Sequence, residues 1–375
     1  MSGEQRDSAS DAVKAKSVRP ALIASAKTVS DYSIFLKHLL VGFAAESVPT
    51  ALICATDCGI DSIVPPSVEV IKHPAFEIPL LWRQNRRILL ERLEKFRPTI
   101  LHCLCENEAA LARRLSHQLA LPYVLTVNSL QKQWQQVSIS SKRCSRIIVP
   151  AKSIAANVMK VYPGFTDRVE EISIGTFVSE SSNCFSEPGR LASLVTTHPL
   201  DNVEDFENLF RAVKHLAIDR YEFMLVMMGN GAGERQVRKL LTSLGLPQIV
   251  TIVPKLELWR PLLAAGDIFV RARPHSTFDP LLLEAMSVGT AVAGCEGGVD
   301  DLIIADKTAV VFDPEDELSI RSKLQRLFDR PELARQIATG AQQYLRENHS
   351  VSSMVSSILK TYQDAQGEWS AGGGT

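Results

Sequence analysis

The chain has almost no net charge, and this limits what it can bind. Its 41 Lys and Arg balance 42 Asp and Glu, which gives a formal net charge of -1, and no long basic run or arginine-rich tail is present. A protein that binds nucleic acid by neutralising many phosphates needs a surplus of cations. The composition therefore argues against a broad nucleic-acid binder.

Long apolar runs are also absent. The polar segment 1–20 lacks the apolar core of a signal peptide, and no stretch reaches the roughly 18 apolar residues that a transmembrane helix needs. We therefore expect a cytoplasmic protein. Contact with a membrane surface through an amphipathic helix stays open. The segment 79–96 is expected to form a basic and apolar helix, which either offers a surface to a binding partner or packs on its own sheet.

The seven cysteines do not form a pattern typical of disulfides or zinc. Their number is odd, and Cys103 and Cys105 form the closest pair, with no second pair at zinc-finger spacing. No Asp-x-Asp metal signature is present either. We expect buried free thiols and no metal site.

What the chain does contain is two series of short apolar runs that alternate with segments of helical period. Continuous hydrophobicity in such runs is typical of parallel strands covered on both faces. A length of 375 residues fits two domains. The predicted strands are 21–25, 50–55, 99–104, 123–127 and 146–150 in the first series, and 191–196, 223–229, 249–254, 268–273, 290–294 and 309–314 in the second.

These series predict an α/β protein with two Rossmann-like, doubly wound domains that face each other across a cleft. Ligands of such sheets bind beyond the carboxyl ends of the strands, so the cleft is the expected site. The predicted divisions are a disordered segment 1–18, domains 19–180 and 191–350 joined by linker 181–190, a helix 351–366 that crosses back to the first domain, and a disordered tail 367–375.

The segment 275–303 resembles the signature of the family-4 retaining glycosyltransferases, which have the GT-B fold. The match runs through Glu284-Ala285-Met286 and Gly289, and Gly297-Gly298 with Asp301 continue it. Segments 227–246 and 262–274 are similar to the family as well, whereas the first domain matches more loosely, and together the resemblance covers residues 20 to 365. It implies a nucleotide-diphosphate sugar as donor, no cofactor, a glycan or lipid-linked acceptor and a role in polysaccharide biosynthesis.

The resemblance also implies where the donor binds. Glu284 takes the position that holds the ribose hydroxyls, and Phe278 and Asp279 precede the helix whose amides receive the diphosphate. Asp279 is further expected to cap this helix, with Pro280 as its first residue. Gly229 and Gly231 bracket a turn beside the cleft, where a purely structural role is equally consistent, and Lys255 and Leu256 stand where relatives hold the base.

Several family positions are occupied by other residues. Ser276 replaces the first Glu of the signature and Asn128 replaces a His near the reacting sugar, so these two are the candidate catalytic positions. His198 stands at the Arg position for the diphosphate, and the nearby cations Arg273, His275 and Lys27 are candidates to support it. His102 falls on a family histidine, with a structural role equally open. The other candidate donor contacts are Glu284, Asp279, Phe278, Gly229, Gly231, Lys255 and Leu256.

Two functional hypotheses stay open. The first is a metal-independent retaining glycosyltransferase, which Glu284 and its helix favour. The second is a catalytically degenerate protein of the same fold that serves as a binding or scaffold module, which the replaced positions favour. An NAD-dependent oxidoreductase is excluded because no G-x-G-x-x-G follows the first strand.

Overall fold

Two parallel sheets, each flanked by helices, make up the protein in the computed structural model, which describes residues 18–56, 58–60, 63–73, 82–132, 137–182, 184–187, 189–254 and 259–371. The first sheet has the strand order β3-β2-β1-β4-β5-β6-β7. Its strands are β1 (Pro20–Ile23), β2 (Ala51–Ala55), β3 (Glu69–His73), β4 (Ile100–Cys103), β5 (Tyr123–Thr126), β6 (Cys144–Val149) and β7 (Val169–Glu171).

The second sheet has the order β10-β9-β8-β11-β12-β13. Every strand pair in both sheets is parallel, so each sheet gathers its carboxyl ends at one edge. Its strands are β8 (Ala192–Thr197), β9 (Phe223–Met228), β10 (Val250–Val253), β11 (Ile268–Arg271), β12 (Ala291–Gly294) and β13 (Val310–Val311).

Helices connect the strands and cover both faces of the sheets. Three short 3₁₀ turns, at Glu106–Glu108, Pro163–Arg168 and Val203–Phe206, supplement them. The helices are α1 (Ala26–Asp31), α2 (Ser33–Ala45), α3 (Trp82–Phe96), α4 (Ala109–Leu119), α5 (Lys152–Val161), α6 (Glu207–Ile218), α7 (Glu234–Leu244), α8 (Arg260–Ala265), α9 (Pro280–Ser287), α10 (Glu317–Asp329), α11 (Pro331–Asn348) and α12 (Val351–Ala371). Within the described ranges, no helix is both long and apolar enough to cross a membrane.

The predicted fold class is confirmed. Central strands such as β1, β4 and β5 are buried along their whole length, because helices cover the sheet on both faces. Neither β3 nor β7 is among the apolar runs of the sequence, and both lie at the edges of the first sheet and are partly exposed. An edge strand has less apolar neighbour surface, so its sequence lacks the continuous apolar run that identifies the others.

The final helix α12 packs against the first domain. The Tyr362 ring is fully buried there, and its hydroxyl lies 2.5 Å from His102 Nδ1 on β4. The Thr361 hydroxyl donates to Glu170 at 2.6 Å. The chain therefore returns from the second domain to the first, and α12 links β4 and β7.

The prediction of a disordered tail from residue 367 is wrong for residues 367–371. The α12 helix continues to Ala371, because Glu368 pairs with Arg146 and the Trp369 indole donates to the Ala120 carbonyl at 3.2 Å. A glycine inside a helix costs about 1 kcal/mol, and these contacts offset the cost at Gly367. At the other end, Val18 is buried, while the rest of the predicted 1–18 segment lies outside the described residues.

Candidate functional site

A cleft of about 910 Å³ lies between the two domains, at the carboxyl ends of their strands. Loops after β1, β4 and β5 line it from the first domain, and loops after β8, β9 and β11 line it from the second. This is the place that the topology of two doubly wound sheets favours for a ligand.

The structure brings many of the predicted site residues to this cleft, but not all of them. Asn128, His198, Gly229, His275, Ser276, Phe278 and Asp279 line it, as does Lys27. Gly231, Arg273 and Glu284 are not among the lining residues. Lys255 and Leu256 lie outside the described residues.

The two candidate catalytic positions lie in segments that touch each other. We call residues 128–130 and 276–278 the interdomain clasp. The amide of Phe278 donates to the Asn128 carbonyl at 2.9 Å, and the amide of Leu130 donates to the Ser276 carbonyl at 2.7 Å. Between these bonds Ser129 and Thr277 form an antiparallel bridge. The clasp therefore joins the two domains within the cleft.

A carboxylate that the sequence analysis did not single out holds the first-domain half of the clasp. One oxygen of Glu106 accepts hydrogen bonds from the amides of Asn128 and Ser129, at 2.8 and 3.0 Å. It also accepts from the Ser129 hydroxyl and the Gln131 side chain. Glu106 stands 22 residues from Asn128, so no local pattern in the sequence reveals this contact.

Asp279 caps α9 as predicted, and it occupies the amides that a diphosphate would need. Its carboxylate accepts from the amides of Leu281 and Leu282 at 3.0 and 3.1 Å. Burial opposes ionisation of Asp279, but the hydrogen bond and charge of His275 and the Leu282 amide hold the pKa of this carboxyl below its usual value. The helix start is thus already supplied with a negative charge.

His198 and His275 form one chain with two carboxylates. Their rings are joined by a contact of 3.1 Å between His198 Nδ1 and His275 Nε2. The outer nitrogens face Asp205 at 3.5 Å and Asp279 at 3.3 Å. Burial, and then the charge of His275, lower the pKa of His198. Each of the three contacts in this chain needs one ring N–H. Two neutral imidazole rings carry two N–H groups, so a third N–H would give the pair one positive charge, which lies between two carboxylates. The pair is therefore a poor substitute for the Arg and Lys of the family.

Arg273 is engaged away from the cleft. Its guanidinium donates to the carbonyls of Glu204 and Asp205, at 2.9 and 3.2 Å, and pairs with the Glu315 carboxylate. The described part of the chain thus gives Arg273 partners of its own at a 3₁₀ turn of the second domain.

Glu284 is buried behind the cleft wall, with only 1% of its side chain exposed. Its carboxylate accepts from the Thr176 hydroxyl and pairs with the Arg260 guanidinium, which also donates to the Phe177 carbonyl at 2.9 Å. Thr176 and Phe177 belong to the segment that connects the domains. While it holds these partners, the Glu284 carboxylate is not available to a ribose. Its pair with Arg260 was not predicted from the sequence.

Three further predicted positions have clear packing roles. A Cβ atom at Gly229 would lie 2.2 Å from the His198 carbonyl oxygen, and one at Gly231 would lie 2.3 Å from the Leu200 carbonyl carbon, so both positions need glycine for close packing of loops. His102 is fully buried and bonds Thr126 at 2.7 Å as well as Tyr362. Its position favours the structural role.

The family match to known proteins lies in the second domain. Residues 187–344 match the family of glycosyl transferases group 1. The chain is 23% identical to the sulfoquinovosyl transferase of Arabidopsis thaliana over 67% of its own length and 54% of that protein. It is 25% identical to a lipopolysaccharide core biosynthesis glycosyltransferase of Rhizobium meliloti, over 42% of its length and 45% of that protein. The chain thus spans about half the length of these curated relatives.

Solved structures agree over nearly the whole chain. HepE of Anabaena, crystallised with UDP and glucose, superposes with a TM-score of 0.76 and 13% identity, over 92% of this chain and 100% of that one. A glycosyltransferase from Rickettsia africae gives a TM-score of 0.75 and 14% identity, over 93% and 99%. Such likeness shows the fold. The chain therefore has the two-domain α/β fold of GT-B glycosyltransferase structures, and its residues 187–344 are similar to the group 1 family.

Proposed function

We propose that the protein is a glycosyltransferase that moves a sugar, with retention, from a nucleotide-diphosphate sugar to a glycan or lipid-linked acceptor. One observation carries this proposal: the α9 helix of the group 1 domain begins at the wall of a cleft of about 910 Å³ between the two domains. A helix start in such a cleft suits an anionic donor once the Asp279 carboxylate has released the amides of Leu281 and Leu282.

The donor requires three local rearrangements of the described contacts. Asp279 would release the α9 amides, Arg260 would leave Glu284, and the interdomain clasp would open. The ribose would take the Glu284 carboxylate in place of Arg260, whose side chain is 35% exposed and has a path to water. The diphosphate would lie beside Lys27, His198 and His275. Fixed donors at these positions would stabilise the negative charge that develops on the leaving diphosphate, without a metal ion.

The transferred sugar would lie at the interdomain clasp once the clasp has opened. Ser276 is exposed, and its hydroxyl can hold a sugar hydroxyl. It cannot stabilise positive charge on the reacting carbon as a carboxylate would, so we expect slow transfer. The Asn128 side chain can hold a hydroxyl but cannot act as a general acid or base near neutral pH.

The acceptor belongs to the first-domain wall. This wall presents Glu106, Asn107 and Gln131 to the cleft, a set of polar groups that suits the hydroxyls of a glycan. A cytoplasmic location, a role in polysaccharide biosynthesis and contact of the segment 79–96 with a membrane are part of the same proposal. The relatives, a sulfoquinovosyl transferase and a lipopolysaccharide core biosynthesis glycosyltransferase, support an acceptor of this kind.

A second candidate is a binding protein of the same fold that has lost catalysis. The internal partners of Glu284, Arg273, His198 and Asp279 favour it, because each of these groups is already neutralised within the protein.

The two candidates differ in turnover, and a double variant separates them. We expect the wild type to hydrolyse or transfer one sugar from a panel of UDP- and GDP-sugars slowly. Ser276→Glu combined with Asp279→Gly restores a carboxylate and frees the helix amides, so the rate should rise at least about tenfold. Chromatography of the product released over time measures this rate.

Ser243→Glu is the matched control, because Ser243 is exposed on α7 far along the chain from the site, and it should leave the rate unchanged. Glu284→Ala in the double-variant background should abolish the rate. Absence of turnover in both the wild type and the double variant, with every donor, would overturn the transferase and select the binding protein.

A further inference from the structure

The thiol of Cys105 lies on the floor of the cleft. It follows β4 by two residues, lines the cleft, and retains 5% exposure. All seven cysteines are buried free thiols, as predicted, but Cys105 is the one whose residue lines the cleft in the described part of the chain. Cys105 is therefore the thiol beside which a small molecule in the cleft would lie.

Polar groups pack around Cys105. The Cys103 thiol donates to the Cys105 carbonyl at 3.0 Å, and Cys103, Thr28 and Ser25 together favour the Cys105 thiolate. Ser25 and Thr28 are themselves fixed at the start of α1, where their hydroxyls lie 2.8 Å apart. Donors aimed at a sulfur stabilise the thiolate, which is the nucleophilic form of cysteine.

This environment distinguishes Cys105 from five of the other six thiols. The Cys103 thiol first, and then Thr28 and Ser25, lower the pKa of Cys105 to about 6 against the opposing effect of burial. Burial raises the pKa of Cys54, Cys144 and Cys184 to about 12 and that of Cys295 to about 11, and it holds the pKa of Cys103 well above its usual value. The other titratable neighbours of Cys105 are Tyr32 and Glu106.

A second observation points to a ligand at the same place. The Asn128 side chain is 5% exposed and lines the cleft, yet its Oδ1 has no hydrogen-bond partner among the described residues. Its Nδ2 donates to the Leu104 carbonyl at 2.9 Å, which holds the amide beside Cys105. A buried acceptor without a partner is costly, so this oxygen favours a ligand with an N–H or O–H group.

We propose that Cys105 is a covalent modification site of the cleft, and that it takes small disulfides whose N–H or O–H group bonds Asn128. The Cys105 thiolate attacks one sulfur of the disulfide, a new S–S bond forms, and the S–S bond of the reagent breaks. The departing thiolate takes a proton from water. Cys105 is oxidised and the departing half of the reagent is reduced, while Cys103 remains a thiol.

The attached group would lie between Ser25 and Asn128 and fill the floor of the cleft. Modification would therefore exclude a ligand from the cleft. The reaction itself is independent of the proposed transferase activity, so the failure of one leaves the other standing.

Stopped-flow reaction of the folded, full-length protein with dithiodipyridine tests this proposal. One thiol per chain should react at pH 7 about a hundredfold faster than the rest, and its rate should rise with pH through a midpoint near 6. Mass mapping of the labelled wild type should place the fast label on Cys105. Cys105→Ser should remove the fast phase, and Thr28→Val should move the midpoint upward.

Cys295→Ser is the matched control, since Cys295 is a buried thiol at the end of β12, and it should keep the fast phase. A fast label on another cysteine, or a Cys105 that reacts no faster than the other thiols, would overturn the proposal. Because the mapping uses the wild type, this result stands even where a variant fails to fold. Small disulfides with an amide N–H should react faster than alkyl disulfides of equal size, and Asn128→Ala should remove that preference.

Discussion

Replacing Arg260 with methionine is expected to lower the free energy of unfolding by about 3 kcal/mol, more than replacing Glu284 with glutamine. The physical reason is the unequal exposure of the pair, 35% for the Arg260 side chain and 1% for the Glu284 side chain. Without Arg260, a buried carboxylate loses the charge that compensates it. Without the Glu284 charge, Arg260 can turn to water, and glutamine keeps a hydrogen bond to Thr176, so the loss should be about 1 kcal/mol. Urea unfolding at pH 7 measures both.

A surface pair provides the control. Arg211 pairs with Glu207 with both side chains about half exposed, so Arg211→Met should change stability by less than about 0.5 kcal/mol. Equal losses from Arg260→Met and Glu284→Gln would contradict the asymmetry and with it the view that Glu284 is held as a buried anion.

Acid should destabilise the protein through His102, and His102→Gln should remove part of this effect. Burial lowers the pKa of His102 to about 3, whereas an unfolded histidine has a pKa of about 6.5. The unfolded chain therefore binds more protons between these values. The stability that the neutral ring contributes is full above about pH 6.5 and is lost as the pH falls towards 3. Between pH 6 and pH 4 this amounts to about 2 kcal/mol.

The test compares how steeply the free energy of unfolding changes with pH in the wild type and in His102→Gln. His38, His198 and His349 also have lowered pKa values, mainly from burial, so the wild type should lose more stability in acid than His102 alone explains. His102→Gln should flatten the pH dependence of the unfolding free energy by the share of His102. His117→Gln, at an exposed position of α4, should leave the slope unchanged. An identical slope in wild type and His102→Gln would show that this ring titrates normally in the folded protein.

The fold could be predicted because its evidence is local. Central strands such as β4 and β5 consist of consecutive apolar residues, since both faces of the sheet are covered. The start of α9 is readable from Asp279 and Pro280, because a cap and its helix are neighbours in the chain. The edge strand β3 and the last turn of α12 were not predicted, because each depends on tertiary contacts with exposed or polar residues.

The site was only partly predictable, because many of its contacts join residues that are far apart in the chain. The resemblance led to the loop after β11 and to the cleft, but the partners that neutralise its groups come from distant positions. Arg260 lies 24 residues before Glu284, and the Asn128 carbonyl that binds the Phe278 amide comes from the other domain. Contacts of this range leave no spacing pattern in a single sequence. The low pKa of Cys105 likewise depends on Ser25 and Thr28, which lie on another strand-to-helix loop.

The most direct test of the central claim, that the cleft takes a nucleotide-diphosphate sugar through Glu284, is calorimetric titration of UDP- and GDP-sugars into wild type and Glu284→Ala, with circular dichroism to verify the fold of each. We expect one donor to bind the wild type, and Glu284→Ala to weaken it at least about tenfold, because the ribose hydroxyls lose a charged hydrogen-bond partner. Binding that is indifferent to Glu284, or no binding of any donor to the folded wild type, would contradict the account.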